Sequence, residues 1–140
     1  MSNTCFKFKQ FLINQDRCAM KVTTDACLFG AWVAERLRNA EGNCLDIGTG
    51  TGLLSLMLAQ KAAGIFTVAV EIDADCAEQA RENIEASPWK QQVVVKEADI
   101  LQYTPANQYD FIISNPPFYQ DDLKSPDTRK NVAHHDHGLQ

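Results

Sequence analysis

Apolar and polar positions along this 140-residue chain follow two periods, one typical of strands and one typical of helices. Short apolar runs suited to buried strands are followed by longer segments whose apolar residues recur at helical spacing. The predicted strands are 44–47, 65–70, 93–95 and 111–113, and the predicted helices are 26–37, 53–63 and 74–86. This alternation favours right-handed crossovers, and so an α/β fold with a mostly parallel sheet and helices on both faces.

Short polar residues mark where two of these helices begin. Thr24 or Asp25 can cap the first helix and Asp73 the third, because their side-chain oxygens accept hydrogen bonds from the free amides of a first turn. The strand 111–113 is apolar throughout, which predicts burial on both of its faces. The side chains that helical spacing assigns to the core are Phe29, Trp32 and Leu56.

The chain before the first helix has the pattern of a short ribbon. Residues 6–13 read FKFKQFLI, whose first half alternates as a strand does. Residues 14–16 follow as a turn, and 18–22 are predicted to return as a second strand. We therefore divide the chain into an N-terminal ribbon segment, 1–24, and a main domain, 25–140.

Three alternating glycines stand between the first strand of the main domain and the helix that follows. The run is Asp46-Ile47-Gly48-Thr49-Gly50-Thr51-Gly52. Glycine lets a backbone turn sharply and approach a ligand closely, because no Cβ intrudes. The dinucleotide pattern G-x-G-x-x-G is excluded, since Leu53 stands where its third glycine belongs, and no Gly-Lys-Ser/Thr sequence follows to make a P-loop. The loop alone indicates a nucleotide-like ligand.

A second motif, Asn115-Pro116-Pro117-Phe118, follows the last predicted strand directly. The Asn115 side chain and the Pro116 carbonyl can aim two hydrogen-bond acceptors at one point, which suits the two N–H groups of an amino nitrogen. Such acceptors localise the nitrogen lone pair and position it, so that positioning and electrostatics replace a strong base. Phe118, with Tyr119, offers an aromatic face for a flipped-out base. A rigid turn after a strand is the alternative interpretation.

An acidic residue followed by G-x-G-x-G resembles motif I of the Rossmann-like class I methyltransferases. The resemblance implies S-adenosylmethionine as cofactor and no metal. It implies that the loop wraps the methionine part, that Asp46 lies near the ammonium group, that Glu71 binds the ribose hydroxyls and that Asp99 binds the adenine amino group. The cofactor-site candidates are Asp46, Gly48, Thr49, Gly50, Gly52, Glu71, Ile72, Asp99, Ile100 and Asn115, with Thr24 and Asp25 in a segment that closes over the cofactor.

Motif I combined with Asn-Pro-Pro-Phe resembles methyltransferases that act on amino groups of adenine, guanine or glutamine. Residues 8–26, 30–32, 123–127 and 133–135 further resemble the bacterial family that modifies N6 of adenosine 37 in valine tRNA, although that family often has arginine where this chain has His134. The resemblance implies a tRNA substrate. The implied catalytic residues are Asn115, Pro116, Pro117 and Phe118, and the implied substrate contacts are Phe118, Tyr119, Lys124, Arg129 and Lys130.

Three alternatives stay open at this point. Glutamine-N5 methyltransferases of release factors share the chemistry, but they usually carry tyrosine after the two prolines, where this chain has Phe118. Guanine-N2 methyltransferases of rRNA share it as well. The third alternative is an inactive cofactor-binding fragment, since the family's sheet has seven strands and only four core strands are recognisable here. We therefore expect a sheet truncated after its fourth strand, or an exposed edge that pairs with another molecule.

Composition changes this picture little. The net charge of −5 argues weakly against a nucleic-acid substrate, because basic residues cluster near both ends of the chain and the middle is acidic. Five cysteines without a C-x-x-C pair predict reduced thiols, and with no signal peptide or membrane span recognisable we expect a cytoplasmic protein. The histidines of 134–137 are adjacent residues, which rarely converge on one metal ion, so we predict no metal site.

Overall fold

The predicted alternation of strands and helices is confirmed. The computed structural model describes residues 5–104 and 108–116. The helices are α1 (Thr24–Arg36), α2 (Leu53–Lys61) and α3 (Ala74–Glu85), and the strands are β1 (Cys5–Lys7), β2 (Leu12–Asn14), β3 (Gly42–Ile47), β4 (Ile65–Glu71), β5 (Val93–Glu97) and β6 (Phe111–Ser114). Each predicted core element is present, with its ends shifted by at most two residues.

The main sheet has four parallel strands in the order β5-β4-β3-β6. Ile47 at the end of β3 pairs with Val70 on β4 and with Ser114 on β6. On the other side of β4, Glu71 pairs with Glu97. The carboxyl ends of all four strands therefore meet at one edge, where open α/β sheets bind their ligands.

The helix α2 lies between two clusters of buried apolar side chains. Leu53 and Leu56 belong to the cluster that also contains residues of α3 and β5. Leu54 and Leu58 belong to the other, with Val33 of α1 and residues of β3 and β6. A helix that contributes to the core on two sides has apolar residues all around it, which explains the sequence LLSLML.

The first helix is capped by a different residue from those predicted. Thr23, not Thr24 or Asp25, accepts a hydrogen bond from the Ala26 amide at 3.1 Å. Thr23 has an extended backbone, whereas Thr24 is already the first helical residue, and only a residue just outside the helix can turn its side chain back onto the first turn. The Asp73 cap of α3 is confirmed, with the Cys76 amide donating at 2.9 Å.

The N-terminal ribbon exists, but its second strand lies elsewhere in the chain. β1 pairs antiparallel with β2, so both strands of the ribbon lie mostly within residues 6–13, the stretch predicted as its first strand. Residues 18–22 are not a strand. The chain reverses between Phe8 and Phe11, whose rings stack with centroids 4.6 Å apart. The Phe8 amide donates to the Phe11 carbonyl across this turn at 2.8 Å.

Two predictions of burial are wrong: that of Trp32 in the core, and that of both faces of β6. Each depended on what covers the face, which the sequence pattern does not show. Trp32 is 59% exposed and holds the Arg36 guanidinium over its ring, while Phe29 is only partly buried beside it. Ile112 is 64% exposed, so β6 buries only one face, through Ile113. Leu56 is fully buried, as expected.

The expectation of five reduced thiols is also wrong. Cys18 and Cys76, 58 positions apart, form a disulfide between the segment before α1 and the first turn of α3, whereas Cys5, Cys27 and Cys44 are free. Sequence spacing cannot reveal this pair, because the fold alone brings the two cysteines together. Within the described ranges, no helix is long and apolar enough to span a membrane.

Candidate functional site

The glycine run forms a tight loop at the carboxyl end of β3. Gly48, Gly50 and Gly52 have φ values of 71°, 57° and 90°, in the left-handed region that favours glycine. The amides of Gly48 and Thr49 both donate to the Val70 carbonyl, at 2.8 and 3.1 Å. The loop is thus tied to the end of β4 and fixed above the sheet edge before α2 begins.

Asp46 is a buried carboxylate beneath this loop. It has no solvent exposure, and its Oδ2 accepts hydrogen bonds from Thr49 Oγ1 at 2.8 Å and from Ser55 Oγ at 2.7 Å. Its Oδ1 has no hydrogen-bond partner among the described residues. Burial raises the pKa of Asp46 to about 6; the two hydroxyl hydrogen bonds oppose this rise, and the Glu71 carboxylate adds to it. A buried acceptor without a partner fits a ligand that brings a cationic donor, as an ammonium group would.

Glu71 ties the glycine loop to the turn after β4. Its side chain is buried, Oε1 accepts from the Gly50 amide at 2.8 Å, and Oε2 accepts from the Asp73 amide at 3.0 Å. Each carboxylate oxygen has about two acceptor positions, so one position on each remains for a vicinal diol. The predicted ribose contact is therefore compatible with this structural role. Ile72, the next residue, is 65% exposed.

Asp99 and Ile100 lie in the turn that follows β5. Asp99 Oδ1 accepts from the Leu101 amide at 3.0 Å, and both side chains are partly exposed. The Ala98 amide donates to the Glu71 carbonyl at 2.9 Å, which holds this turn beside the end of β4. The fold thus brings the candidate ribose and adenine contacts to neighbouring strand ends.

Asn115 is brought to the glycine loop by the pairing of β6 with β3. Ser114 Oγ donates to the Ile47 carbonyl at 3.1 Å, which fixes the end of β6 beside the loop. A small cavity of about 30 Å³ lies there. It is lined by Met20, Lys21, Val22, Ala26, Gly48, Thr49, Gly50, Thr51, Leu53, Leu54 and Asn115. Pro116 is exposed, and the candidates Pro117, Phe118, Tyr119, Lys124, Arg129 and Lys130 lie outside the described residues.

The segment before α1, residues 14–22, covers the glycine loop through Met20, Lys21 and Val22, which line the cavity there. Thr24 and Asp25 are exposed, whereas Met20 packs on the loop: its Sδ lies 3.2 Å from where a Cβ on Gly50 would stand. Lys21 Nζ donates to the Cys18 carbonyl at 2.7 Å and also to the Gln15 carbonyl. The role implied for Thr24 and Asp25 in closing over the cofactor stays a prediction.

Buried polar side chains of α3 hold this covering segment in place. Gln79 accepts from the Arg17 amide at 2.7 Å and donates to Asp16 at 2.8 Å. Asn83 donates to the carbonyls of Asn14 and Thr51, at 2.9 and 2.8 Å, so that one side chain joins the segment to the loop. Both side chains are fully buried, which suits amides whose hydrogen-bonding groups are in use.

Sequence reasoning missed Ser55 and Met20. A usable signal existed for Ser55, which is the single polar residue in the run LLSLML, and a buried hydroxyl requires a partner. No comparable signal existed for Met20, because its contact depends on tertiary packing. In the part of the chain that the structure describes, no three His, Cys, Asp or Glu side chains are grouped to hold a metal ion. Residues 134–137 lie outside that part.

Comparison with known proteins places this chain in a family. Residues 30–136 match the family model "Methyltransferase small domain". The chain is 49% identical over 137 residues to the tRNA1(Val) (adenine(37)-N6)-methyltransferase of Dyadobacter fermentans, covering 95% of this chain and 54% of that protein. It is 50% identical over 138 residues to the protein of the same name from Phocaeicola vulgatus, covering 96% and 56%. The chain thus spans a little over half the length of these relatives.

A solved structure shares the arrangement of the sheet and helices. It is an S-adenosylmethionine-dependent methyltransferase from Thiobacillus denitrificans in complex with S-adenosylhomocysteine. The TM-score is 0.56 at 25% identity, over 71% of this chain and 39% of that one. The predicted Rossmann-like fold is confirmed by this likeness together with the parallel sheet.

Proposed function

Because the chain belongs to the methyltransferase small domain family, we propose that it is part of an enzyme that methylates N6 of an adenine in tRNA, with S-adenosylmethionine as the methyl donor. The tRNA substrate, and adenosine 37 of valine tRNA in particular, is suggested by the names of relatives that are 49–50% identical. The cytoplasmic location expected from the sequence stays a prediction, because the Cys18–Cys76 disulfide removes one of its two grounds.

One observation carries the proposal: a buried acceptor and an amide side chain adjoin the same glycine loop. Asp46 Oδ1 has no hydrogen-bond partner among the described residues, and Asn115 lines the same cavity as the loop residues Gly48 and Gly50. Gly48 leaves room, since a Cβ there would meet nothing within 4 Å. A cofactor that places an ammonium group near Asp46 and a reactive methyl group near Asn115 fits this arrangement.

The residues of the chain have separate tasks in this chemistry. When bound, the cofactor supplies an electrophilic methyl group on a sulfonium. Asn115 Oδ1 and the Pro116 carbonyl would accept the two N–H groups of the adenine N6, which localises its lone pair and directs it at the methyl group. Met20 and Val22 line the cavity beside the loop. Side chains that exclude water from a bound ligand strengthen the electrostatic interactions inside.

The proposal is tested with the 140-residue chain and a methyl-labelled cofactor. The labelled reaction is run with unmodified valine tRNA, with ribosomal RNA and with a peptide release factor, and cofactor binding is measured separately by calorimetry with S-adenosylhomocysteine. We expect heat of binding and label in the tRNA at one adenine. Label in the release factor alone, or in guanine of ribosomal RNA, would contradict the proposal. Binding without transfer to any of the three would support the alternative of a cofactor-binding part without turnover.

A further inference from the structure

The hydrogen bonds of Asp46 are distributed unequally between its two oxygens. Both hydroxyl donors, from Thr49 and Ser55, reach Oδ2, at 2.8 and 2.7 Å. A carboxylate oxygen has about two acceptor positions, so two donors fill Oδ2 and leave the acceptor capacity on Oδ1. That oxygen is buried and has no partner in the described part of the chain.

Ser55 comes from a helix that otherwise presents apolar side chains here. It lies in the first turn of α2, is fully buried, and reaches across to β3. The neighbours of Asp46 in register on the two adjacent strands are Ala69 and Ile113, and neither side chain can donate a hydrogen bond. The orientation of the carboxylate therefore depends on two hydroxyls, one in the loop and one in the helix.

We propose that Ser55 is a positioning residue: with Thr49 it fixes the Asp46 carboxylate so that Oδ1 accepts a hydrogen bond from the ammonium group of the bound ligand. This inference rests on the proposed function, which supplies a ligand with an amino-acid moiety. The terminal torsion of an aspartate side chain is broad and roughly two-fold, so a carboxylate with one donor fewer is no longer held in a single orientation. Loss of Ser55 therefore weakens the ammonium contact specifically and leaves the adenosine contacts in place.

The charge state of Asp46 gives the inference a second readout. Burial raises the pKa of Asp46 to about 6, the Ser55 and Thr49 hydrogen bonds lower it, and Glu71 at the end of β4 raises it. Cys44, on the same strand, has its pKa raised to about 12 and stays neutral. Affinity for a cationic group therefore falls as the pH drops below the pKa of Asp46. Removing Ser55 takes away a group that stabilises the carboxylate, so the midpoint of this fall moves to higher pH.

The test compares two ligands on three forms of the 140-residue chain by calorimetry. The ligands are S-adenosylhomocysteine and its deaminated analogue, which keeps the carboxylate, the thioether and the adenosine. The proteins are the wild type, Ser55→Ala and the control Ser87→Ala, which removes another buried serine hydroxyl that donates to a carbonyl away from the loop. We expect Ser55→Ala to bind S-adenosylhomocysteine about tenfold more weakly than the wild type does. The deaminated analogue should bind to Ser55→Ala and to the wild type with equal affinity. Ser87→Ala should bind both ligands like the wild type.

A second pair of variants protects the test against misfolding of Ser55→Ala. Thr49→Val keeps the shape of the side chain without its hydroxyl and should show the same selective loss of affinity for S-adenosylhomocysteine. Thr49→Ser keeps the hydroxyl and should bind S-adenosylhomocysteine as the wild type does. Equal losses for both ligands, or an unshifted pH midpoint, would overturn the positioning role. If the wild type binds neither ligand, the proposed function fails. If the wild type binds S-adenosylhomocysteine and Ser55→Ala binds it equally well, the positioning role alone fails.

Discussion

At the scale of single residues, the Asp46 carboxylate links ligand binding to the pH dependence of folding. Burial raises its pKa from 3.8 to about 6, so the folded chain holds this proton more tightly than the unfolded chain does. The contribution of Asp46 to the free energy of unfolding therefore decreases as the pH rises from 3.8 to about 6, by up to about 3 kcal/mol. A cationic ligand group at Oδ1 would offset, in the bound state, the free-energy cost of ionising the buried Asp46.

Asp46→Asn tests this cost, because asparagine cannot ionise. Without ligand, we expect the stability of the variant relative to the wild type to increase between about pH 4 and about pH 7, by up to about 3 kcal/mol. Urea unfolding at a series of pH values measures this difference, and other carboxylates cancel in the comparison. The affinity for S-adenosylhomocysteine should fall at least about tenfold. A stability difference that does not vary with pH would show that Asp46 is not a buried, ionisable group.

Asn115 should affect the rate of methyl transfer far more than cofactor affinity. Asn115 lines the cavity beside the glycine loop. In the proposed function its side chain accepts from the substrate amino group, and loss of a hydrogen-bonding group aimed at the reacting centre typically costs about 10²–10³-fold in rate. We expect Asn115→Ala to show this loss in single-turnover transfer to tRNA, with S-adenosylhomocysteine affinity changed less than about threefold. Asn39→Ala, at an exposed position outside the site, is the matched control. Weak cofactor binding with normal transfer from the bound complex would rule out the acceptor role.

At the scale of elements, the disulfide holds the covering segment to α3. Cys18 and Cys76 are both buried, and the bond closes a loop of 58 residues. Because a cross-link restricts the unfolded chain, we expect reduction to lower the free energy of unfolding by about 2–4 kcal/mol. Urea unfolding with and without a dithiol reductant measures the effect.

Two variants separate the disulfide from the other cysteines. Unfolding of the Cys18→Ser, Cys76→Ser double variant should be insensitive to the reductant, whereas Cys5→Ser, which changes a free cysteine, should respond as the wild type does. An intact mass that retains both thiol hydrogens under oxidising conditions, or a wild type insensitive to the reductant, would contradict the disulfide.

The elements that could be predicted from the sequence are those specified by local signals. The glycine loop, the Asp73 cap and the strand–helix alternation each depend on residues close together in the chain, and each is present in the structure. The partner of β1 and the Cys18–Cys76 bond depend on which segments meet in the fold, and both were missed. The exposure of Trp32 belongs to the same class, because helical spacing identifies an apolar face without showing what covers it.

The candidate site divides in the same way. Asp46, Glu71 and Asn115 could be placed at one edge of the sheet from the sequence, because parallel strands present their carboxyl ends together. The hydrogen bonds that fix them could not, since Ser55 reaches Asp46 from another element and the Glu71 oxygens bind amides of the loop and the next turn. The position of these three residues at the sheet edge could therefore be predicted from the sequence, and the orientation of their side chains could not.

At the scale of the whole molecule, charge and apolar exposure are distributed unevenly. The net charge is −5, and the groove beside α3 and β5 is lined by both acidic and basic side chains. At the opposite edge, α1 and β6 form a groove of about 330 Å³. Trp32 and Ile112 of this groove are 59% and 64% exposed. In the described ranges, β6 pairs with β3 alone, so one side of β6 has free backbone groups.

An edge of this kind pairs readily with another strand, which predicts self-association of the 140-residue chain through β6. Lysine on an edge strand opposes such pairing, so we expect Ile112→Lys to shift the chain toward monomer at concentrations where the wild type associates. Light scattering coupled to gel filtration over a concentration series measures the average mass. The folded stability should change by less than about 0.5 kcal/mol, because the side chain is exposed.

Val94→Lys provides the control at the other edge of the sheet, since Val94 on β5 is 37% exposed. If association uses β6, the Val94 variant retains it and the Ile112 variant loses it. Loss of association in the Val94 variant alone would assign the contact to β5. A wild type that stays monomeric at every concentration would show that the β6 edge does not pair with a second copy.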